Sequence, residues 1–181
     1  MAQQYQRRPG HYLAFFSSYA YLQQVLEAFS RTHPDIPVWV QSRSMSENER
    51  EDFLGRFTLH SRGIGFAVLG GAFGEGIDLP GDRLIGAFIA TLGLPQVNPV
   101  NEEIKGRMEI MFGAGTGYDY TYLYPGIQKV VQAAGRVIRT PDDQGVVYLL
   151  DDRFGQSSVR GLLPRWWHTS RHQIRLTESP P

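Results

Sequence analysis

Short apolar runs alternate along this chain with longer stretches in which apolar residues recur every three or four positions, a pattern that predicts parallel strands joined by helices. Residues 11–16 read as a buried strand, and Ser17 or Ser18 is placed to cap the helix expected to run to about Phe29. Residues 37–41 make a second strand. Ser46 and Glu49 then have the Ser-x-x-Glu form of a capping box, opening a helix to about Phe57. Residues 64–69 are a third strand that ends in Gly70 and Gly71, and 84–92 are a fourth. From Pro95 to Tyr124 the pattern is less regular: 101–105 start a helix, and the glycine-rich 113–117 predict a mobile loop. Tyr118, Tyr120, Tyr122 and Tyr124 alternate as on one face of an extended segment, suited either to a nucleic-acid groove or to packing on the sheet. Pro125 fits the first turn of the next helix, and 145–150 are the last strand. The sum is an α/β fold: an open, mostly parallel sheet with helices on both faces.

Composition narrows this picture. With 181 residues and 41% hydrophobic content, the chain suffices for one well-buried core. One domain is expected over 1–181, with its core at about 11–154, a terminal helical and basic segment over 155–175 and a frayed end over 176–181. Lys plus Arg and Asp plus Glu balance at 18 each, so no global basic field advertises nucleic acid. The balance is local, however: Arg153, Arg160, Arg165, Arg171 and Arg175 meet no acidic residue between Asp152 and Glu178. With Trp166, Trp167, His168 and His172 interleaved, that segment suits a phosphate backbone, or equally a packed terminal helix. There is no cysteine, which excludes disulfides, thiolate zinc sites and iron–sulfur clusters within the chain. No apolar stretch approaches the roughly 18 residues of a membrane span and the first residues lack the apolar core of a secretion signal, so a cytoplasmic protein without membrane partners is expected.

Two motifs carry candidate chemistry. In Gln132-Ala-Ala-Gly-Arg-Val-Ile-Arg139, at about 100° per residue, Val130, Val131, Ala134, Val137 and Ile138 share one arc, while Gln132, Gly135, Arg136 and Arg139 take the opposite one. The two guanidiniums can converge on one anion, and Gly135 lets a ligand or backbone approach without a Cβ in the way. That geometry suits a polyphosphate; a surface helix with solvated arginines has the same pattern. The second motif, Gly70-Gly-Ala-Phe-Gly-Glu-Gly-Ile-Asp78, directly follows a predicted strand, where open α/β sheets bind ligands. Its glycines permit a tight loop with exposed amides, and Glu75 and Asp78 bring two carboxylates into it. It fails as a dinucleotide fingerprint, whose glycines close the first strand–helix turn; a plain glycine-rich turn is the other reading.

Together the two motifs resemble motifs V and VI of superfamily 2 helicases, and the wording Glu-Gly-Ile-Asp with Gln-x-x-Gly-Arg-x-x-Arg resembles the DinG/XPD-like branch. Phe15-Phe-Ser-Ser-Tyr19 is similar to motif IV of that branch, and Val147-Tyr-Leu-Leu-Asp-Asp-Arg-Phe154 to the strand and acidic turn after motif VI. The resemblance, in order and spacing, covers about 11–154. It implies a second, C-terminal RecA-like motor domain, a P-loop NTPase-type fold lacking the P-loop, whose partner is an N-terminal RecA-like domain. ATP with Mg²⁺ would lie between the two. Carried over by position, Arg136 and Arg139 would be arginine fingers, with Gln132 a polar contact and Gly135 beside the nucleotide. Glu75, Gly76 and Asp78 would link the nucleotide to the DNA track. Ser17, Ser18 and the backbone of Gly71, Ala72, Phe73 and Gly74 would touch single-stranded DNA phosphates without reading bases.

The departures matter equally. No Gly-x-x-x-x-Gly-Lys-Ser/Thr and no Asp-Glu-x-His occurs, so this chain alone is expected not to hydrolyse ATP. Any iron–sulfur cluster of the branch would belong to the N-terminal region. No histidine has metal-ligand spacing beside a carboxylate, so no metal site is expected. The competing function is a stand-alone adaptor that keeps the helicase fold and binds nucleic acid or protein without turnover.

Overall fold

Six consecutive residues that are all buried define the centre of the structure: β1 (His11–Phe16) has no solvent-facing side, as a strand covered by helices on both faces must. The computed structural model describes residues 1–71, 73, 79, 81–137 and 145–170. Within them the order is α1 (Ala2–Arg7), β1, α2 (Tyr19–Thr32), β2 (Val38–Val40), α3 (Glu47–Gly55), β3 (Gly63–Val68), β4 (Gly86–Ile89), α4 (Pro99–Phe112), a π-helical turn (Asp119–Leu123), α5 (Tyr124–Ala134), β5 (Val146–Leu149) and the single-turn α6 (Ser157–Arg160). The five strands form one sheet in the order β2-β3-β1-β4-β5, and every adjacent pair is parallel.

Alternation along β1 divides the core. Tyr12, Ala14 and Phe16 point to the side covered by α1 and α2, where they meet Leu22, Phe29, Phe66 and Phe88. Leu13 and Phe15 point to the other side, where α3 and α5 supply Phe53, Ile127, Val130 and Ala134. Across the first face, stacked pairs Tyr12–Phe88 (5.3 Å between centroids) and Phe88–Tyr148 (5.4 Å) tie β1, β4 and β5 together. Gln4 of α1 donates to the Tyr12 hydroxyl (3.2 Å) and accepts from that of Tyr148 (2.6 Å), which holds the first helix on this face.

Several helix starts follow sequence chemistry. The Ser18 hydroxyl accepts from the Tyr21 amide (3.2 Å), and Ser46 with Glu49 closes the expected capping box in both directions. The helix expected from Asn101 begins earlier, because Pro99 fits its first turn and the Asn98 side chain caps it. The fourth strand is shorter than its apolar run, since β1 and β5 pair with it only over Gly86–Ile89.

The tyrosine segment corrects the sequence reading. Tyr118, Tyr120, Tyr122 and Tyr124 belong to a helical stretch with a π turn, not to an extended strand. The rings pair four residues apart, Tyr118 with Tyr122 (5.6 Å) and Tyr120 with Tyr124 (5.2 Å). Pro125 sits in the first turn of α5 as expected, yet helix precedes it; the widened turn absorbs the hydrogen bond that proline cannot donate. In the terminal segment, among the described residues, α-helix is found at Ser157–Arg160, Trp167 packs against the core, and Trp166 is exposed. Residues 171–181 lie outside the described residues.

Candidate functional site

The chain leaves β1 toward β2 by way of α2 on one face, and leaves β4 toward β5 by way of α5 on the other. The carboxyl ends of β1 and β4 are adjacent, so a crevice opens between them where ligands of open parallel sheets bind. Ser17 and Ser18 follow β1 there and are both exposed. Ser18 spends its hydroxyl on the cap of α2, and the first turn of that helix presents amides at the crevice.

The loop after β3 is held from three directions. Gly70 takes a φ of +79°, and the Gly71 amide donates to the Val68 carbonyl (3.2 Å). Gln41, buried just beyond β2, accepts from the Val68 amide with its side-chain oxygen (2.8 Å). The Phe73 ring is fully enclosed, 4.2 Å from the Phe53 ring centre and tilted by 30°. That ring therefore anchors the loop in the core, and any contact of Phe73 with a strand must come from its backbone. Leu79 returns the chain to the same core. Ala72, Gly74, Glu75, Gly76 and Asp78 lie outside the described residues.

On α5 the expected two-sided pattern is present: Val130, Ala133, Ala134 and Val137 are buried, Gln132 and Gly135 are exposed, and Arg136 is half-buried. The α-helix ends at Ala134, one residue before the Gly-Arg pair, and a tighter turn continues it through hydrogen bonds from Arg136 to Ala133 (3.1 Å) and from Val137 to Ala134 (3.0 Å). A Cβ added at Gly135 would meet only carbonyl oxygens of its own turn, at 3.3 and 3.4 Å. Among the described residues nothing else lies within 4 Å of that position. Gln132, Gly135 and Arg136 therefore fit one side of a polyphosphate site. Ile138 and Arg139 lie outside the described residues.

Other polar groups of this edge had weaker sequence signals. The Arg43 guanidinium lies 5.4 Å from the ring centre of Tyr19, the first residue of α2. Arg153, after β5, binds Asp151 through two hydrogen bonds (2.9 and 2.7 Å), which holds the Asp151 carboxyl below the usual carboxylate range. Gln41 is legible only as a polar residue ending an apolar run, and Arg43 had no signal. Beside α4, the Tyr122 hydroxyl donates to Glu102 (2.7 Å), which lowers the Glu102 pKa and raises that of Tyr122 to about 12. Among the described residues, no three His, Cys, Asp or Glu side chains stand together as a metal site, and no helix is long and apolar enough to cross a membrane.

The family model described as "Helicase C-terminal domain" matches residues 1–170. The chain belongs to the helicase C-terminal domain family. This helicase C-terminal domain is 30% identical over 175 residues to the ATP-dependent DNA helicase chl-1 of Caenorhabditis elegans, covering 93% of the chain and 21% of that protein. It is 29% identical over 167 residues to the general transcription and DNA repair factor IIH helicase subunit XPD of Schizosaccharomyces pombe, covering 87% of the chain and 21% of that subunit. The chain thus spans about a fifth of the length of the curated relatives it matches. Among solved structures it matches apo XPD with a TM-score of 0.71 at 21% identity, over 89% of this chain and 32% of the other. Domain 2 of the DEAD-box helicase Mss116p, solved with an RNA duplex, matches with a TM-score of 0.51 at 13% identity, over 83% and 46%. The fold of this helicase C-terminal domain is accordingly RecA-like, as its motifs imply.

Proposed function

We propose that this domain is the C-terminal half of an ATP-dependent DNA helicase motor, supplying arginine fingers to a nucleotide site completed by an N-terminal RecA-like domain. The observation that carries the reading is α5: its inner face is fixed in the core, while Gln132 and Gly135 are exposed and Arg136 is half-buried beside them. The relatives' names, which describe ATP-dependent DNA helicases, support the same reading. Arg136 and Arg139 neutralise charge that develops on the transferred phosphoryl group, and Gln132 orients a polar partner in the cleft. ATP, when bound with Mg²⁺, supplies the phosphoanhydride whose hydrolysis drives movement. Because the sequence holds neither a P-loop lysine nor an Asp-Glu-x-His, the phosphate cradle and magnesium ligands belong to the partner domain. Glu75, Gly76 and Asp78 couple that cleft to the carboxyl edge of the sheet. There Ser17, Ser18 and the backbone of residues 71–74 bind phosphates of single-stranded DNA, which a motor independent of sequence requires.

The test is DNA-stimulated ATPase of the full-length protein, wild type beside Arg139→Ala. A DNA-dependent rate that falls by about a thousandfold or more, with DNA affinity kept, is the expected result. No ATPase in the wild type, with DNA binding retained, would overturn the motor reading and leave an adaptor.

A further inference from the structure

Lys129 is half-buried on α5, and two loops grip its stem. At Gly93, just past β4 with φ +69°, an added Cβ would lie 3.5 Å from the Lys129 Cβ. At Gly70, just past β3 with φ +79°, an added Cβ would lie 3.2 Å from Lys129 Cδ and 3.4 Å from both Cε and Nζ. Since β1 lies between β3 and β4, the side chain passes over the carboxyl end of β1, where Ser17 and Ser18 start α2. Its ammonium stops beside the Gly70–Gly71 turn. Among the described residues no carboxylate lies within ion-pair distance of it. Arg153 at the same edge, by contrast, is taken up by Asp151.

A cation with a packed stem has already given up much of the rotamer freedom that an ordinary surface lysine loses on binding. We propose that Lys129 binds a backbone phosphate of single-stranded nucleic acid lying across the crevice between β1 and β4. This rests on the assignment of a DNA strand to that edge and adds a residue that neither motif contains. Position selects a strand phosphate over a nucleotide phosphate. Lys129 lies at the carboxyl edge, whereas Arg136 is next to Val137, which contacts Gly145 at the amino end of β5. Seven residues separate the two, five along α5 and two in the tighter turn after it, a span of roughly 10 Å. As a compact point charge, the ammonium holds the backbone and reads no base.

The experiment is anisotropy of a fluorescein-labelled oligothymidylate across a salt series, using the full-length protein without nucleotide. Lys129→Met, which keeps an apolar stem, is expected to reduce the slope of log affinity against log salt by about 0.7 and to weaken binding on the order of fivefold at 0.1 M salt. Lys129→Arg is expected to restore both, with the KM for ATP unchanged in every variant. If Lys129→Met does not fold, Lys129→Gln is read in the same way. A slope equal to that of the wild type overturns the inference and leaves the motor reading intact, as does an unchanged slope with a raised KM for ATP, which would give Lys129 to the nucleotide. Absence of DNA binding by the wild type overturns the proposed DNA path itself, and this inference with it.

Discussion

Replacing Phe73 by alanine separates an anchor from a ligand contact. The ring is fully enclosed and lies 4.2 Å from that of Phe53, inside the core shared by α3 and α5. Burying a phenylalanine removes about 150–250 Å² from water, or about 4–6 kcal/mol at 25 cal/mol per Å², an upper bound because the unfolded chain already buries part of that area. Truncations of this kind cost about 3–5 kcal/mol, the void included. Phe73→Ala should therefore lose about 3–5 kcal/mol in urea denaturation, a large share of the roughly 5–15 kcal/mol available to a domain, with the melting temperature lower by about 10 °C. Phe73→Leu fills most of the space and should lose about 1–2 kcal/mol. DNA-stimulated ATPase should fall with Phe73→Ala, because the loop between Gly71 and Leu79 loses its inner anchor, and should recover largely with Phe73→Leu. A loss below about 1 kcal/mol together with a collapse of DNA affinity would refute this reasoning, since the ring would then be acting on the strand.

Two further substitutions probe the frame that positions the site. At Gly126 a Cβ would lie 2.6 Å from the Leu92 carbonyl oxygen and 3.2 Å from the Leu94 amide nitrogen, both backbone atoms. Gly126→Ala gains up to about 1 kcal/mol of helix propensity and meets about 1–3 kcal/mol of overpacking, so a net lower urea midpoint is expected, and an unchanged or higher one would contradict the close approach of α5 to the β4 exit. His11 is buried between Trp39 and Phe57 with Nε2 3.0 Å from the Ser61 hydroxyl; burial holds its pKa below the ordinary 6.5, the Arg56 backbone carbonyl opposes that shift, and Arg83 adds to it. The unfolded chain then takes up the proton first, so this contribution to stability is full above pH 6.5 and is lost as pH falls below it; denaturation at about pH 7.5 and 5.5 should show the loss, and His11→Gln should flatten it.

The parts of the fold set by local chemistry were readable before the structure. The apolar run at 12–16, after His11, reads as a strand covered on both sides, and Ser46 with Glu49 forms the cap that its spacing announces. The tyrosines misled because period two and period four coincide: rings at 118, 120, 122 and 124 suit one face of a strand, and they also make two pairs four residues apart on a helix. Helix α1 had no apolar period to reveal it, since its place depends on Gln4 bridging Tyr12 and Tyr148 across the sheet. The same division holds at the site. The exposed side of α5 follows from helical periodicity, whereas the role of the Phe73 ring and the path of Lys129 depend on which loops the sheet order brings together.

The placement of α5 also bears on how a motor, if the proposed function holds, would transmit force. Lys129 stands on α5 and Arg136 seven residues later in the tighter turn that continues it, with Gln132 between them. The inner side of α5 is closed: Val130 and Ala133 are fully buried and Ala134 nearly so, and close packing of this kind yields in discrete rearrangements, not by continuous sliding. A phosphate held by Lys129 and a phosphoryl group held by Arg136 would therefore be fixed relative to each other within this domain. On the proposed function, movement of DNA during turnover would come from displacement of the whole domain against its partner, because α5 packs too closely on the sheet to slide by itself.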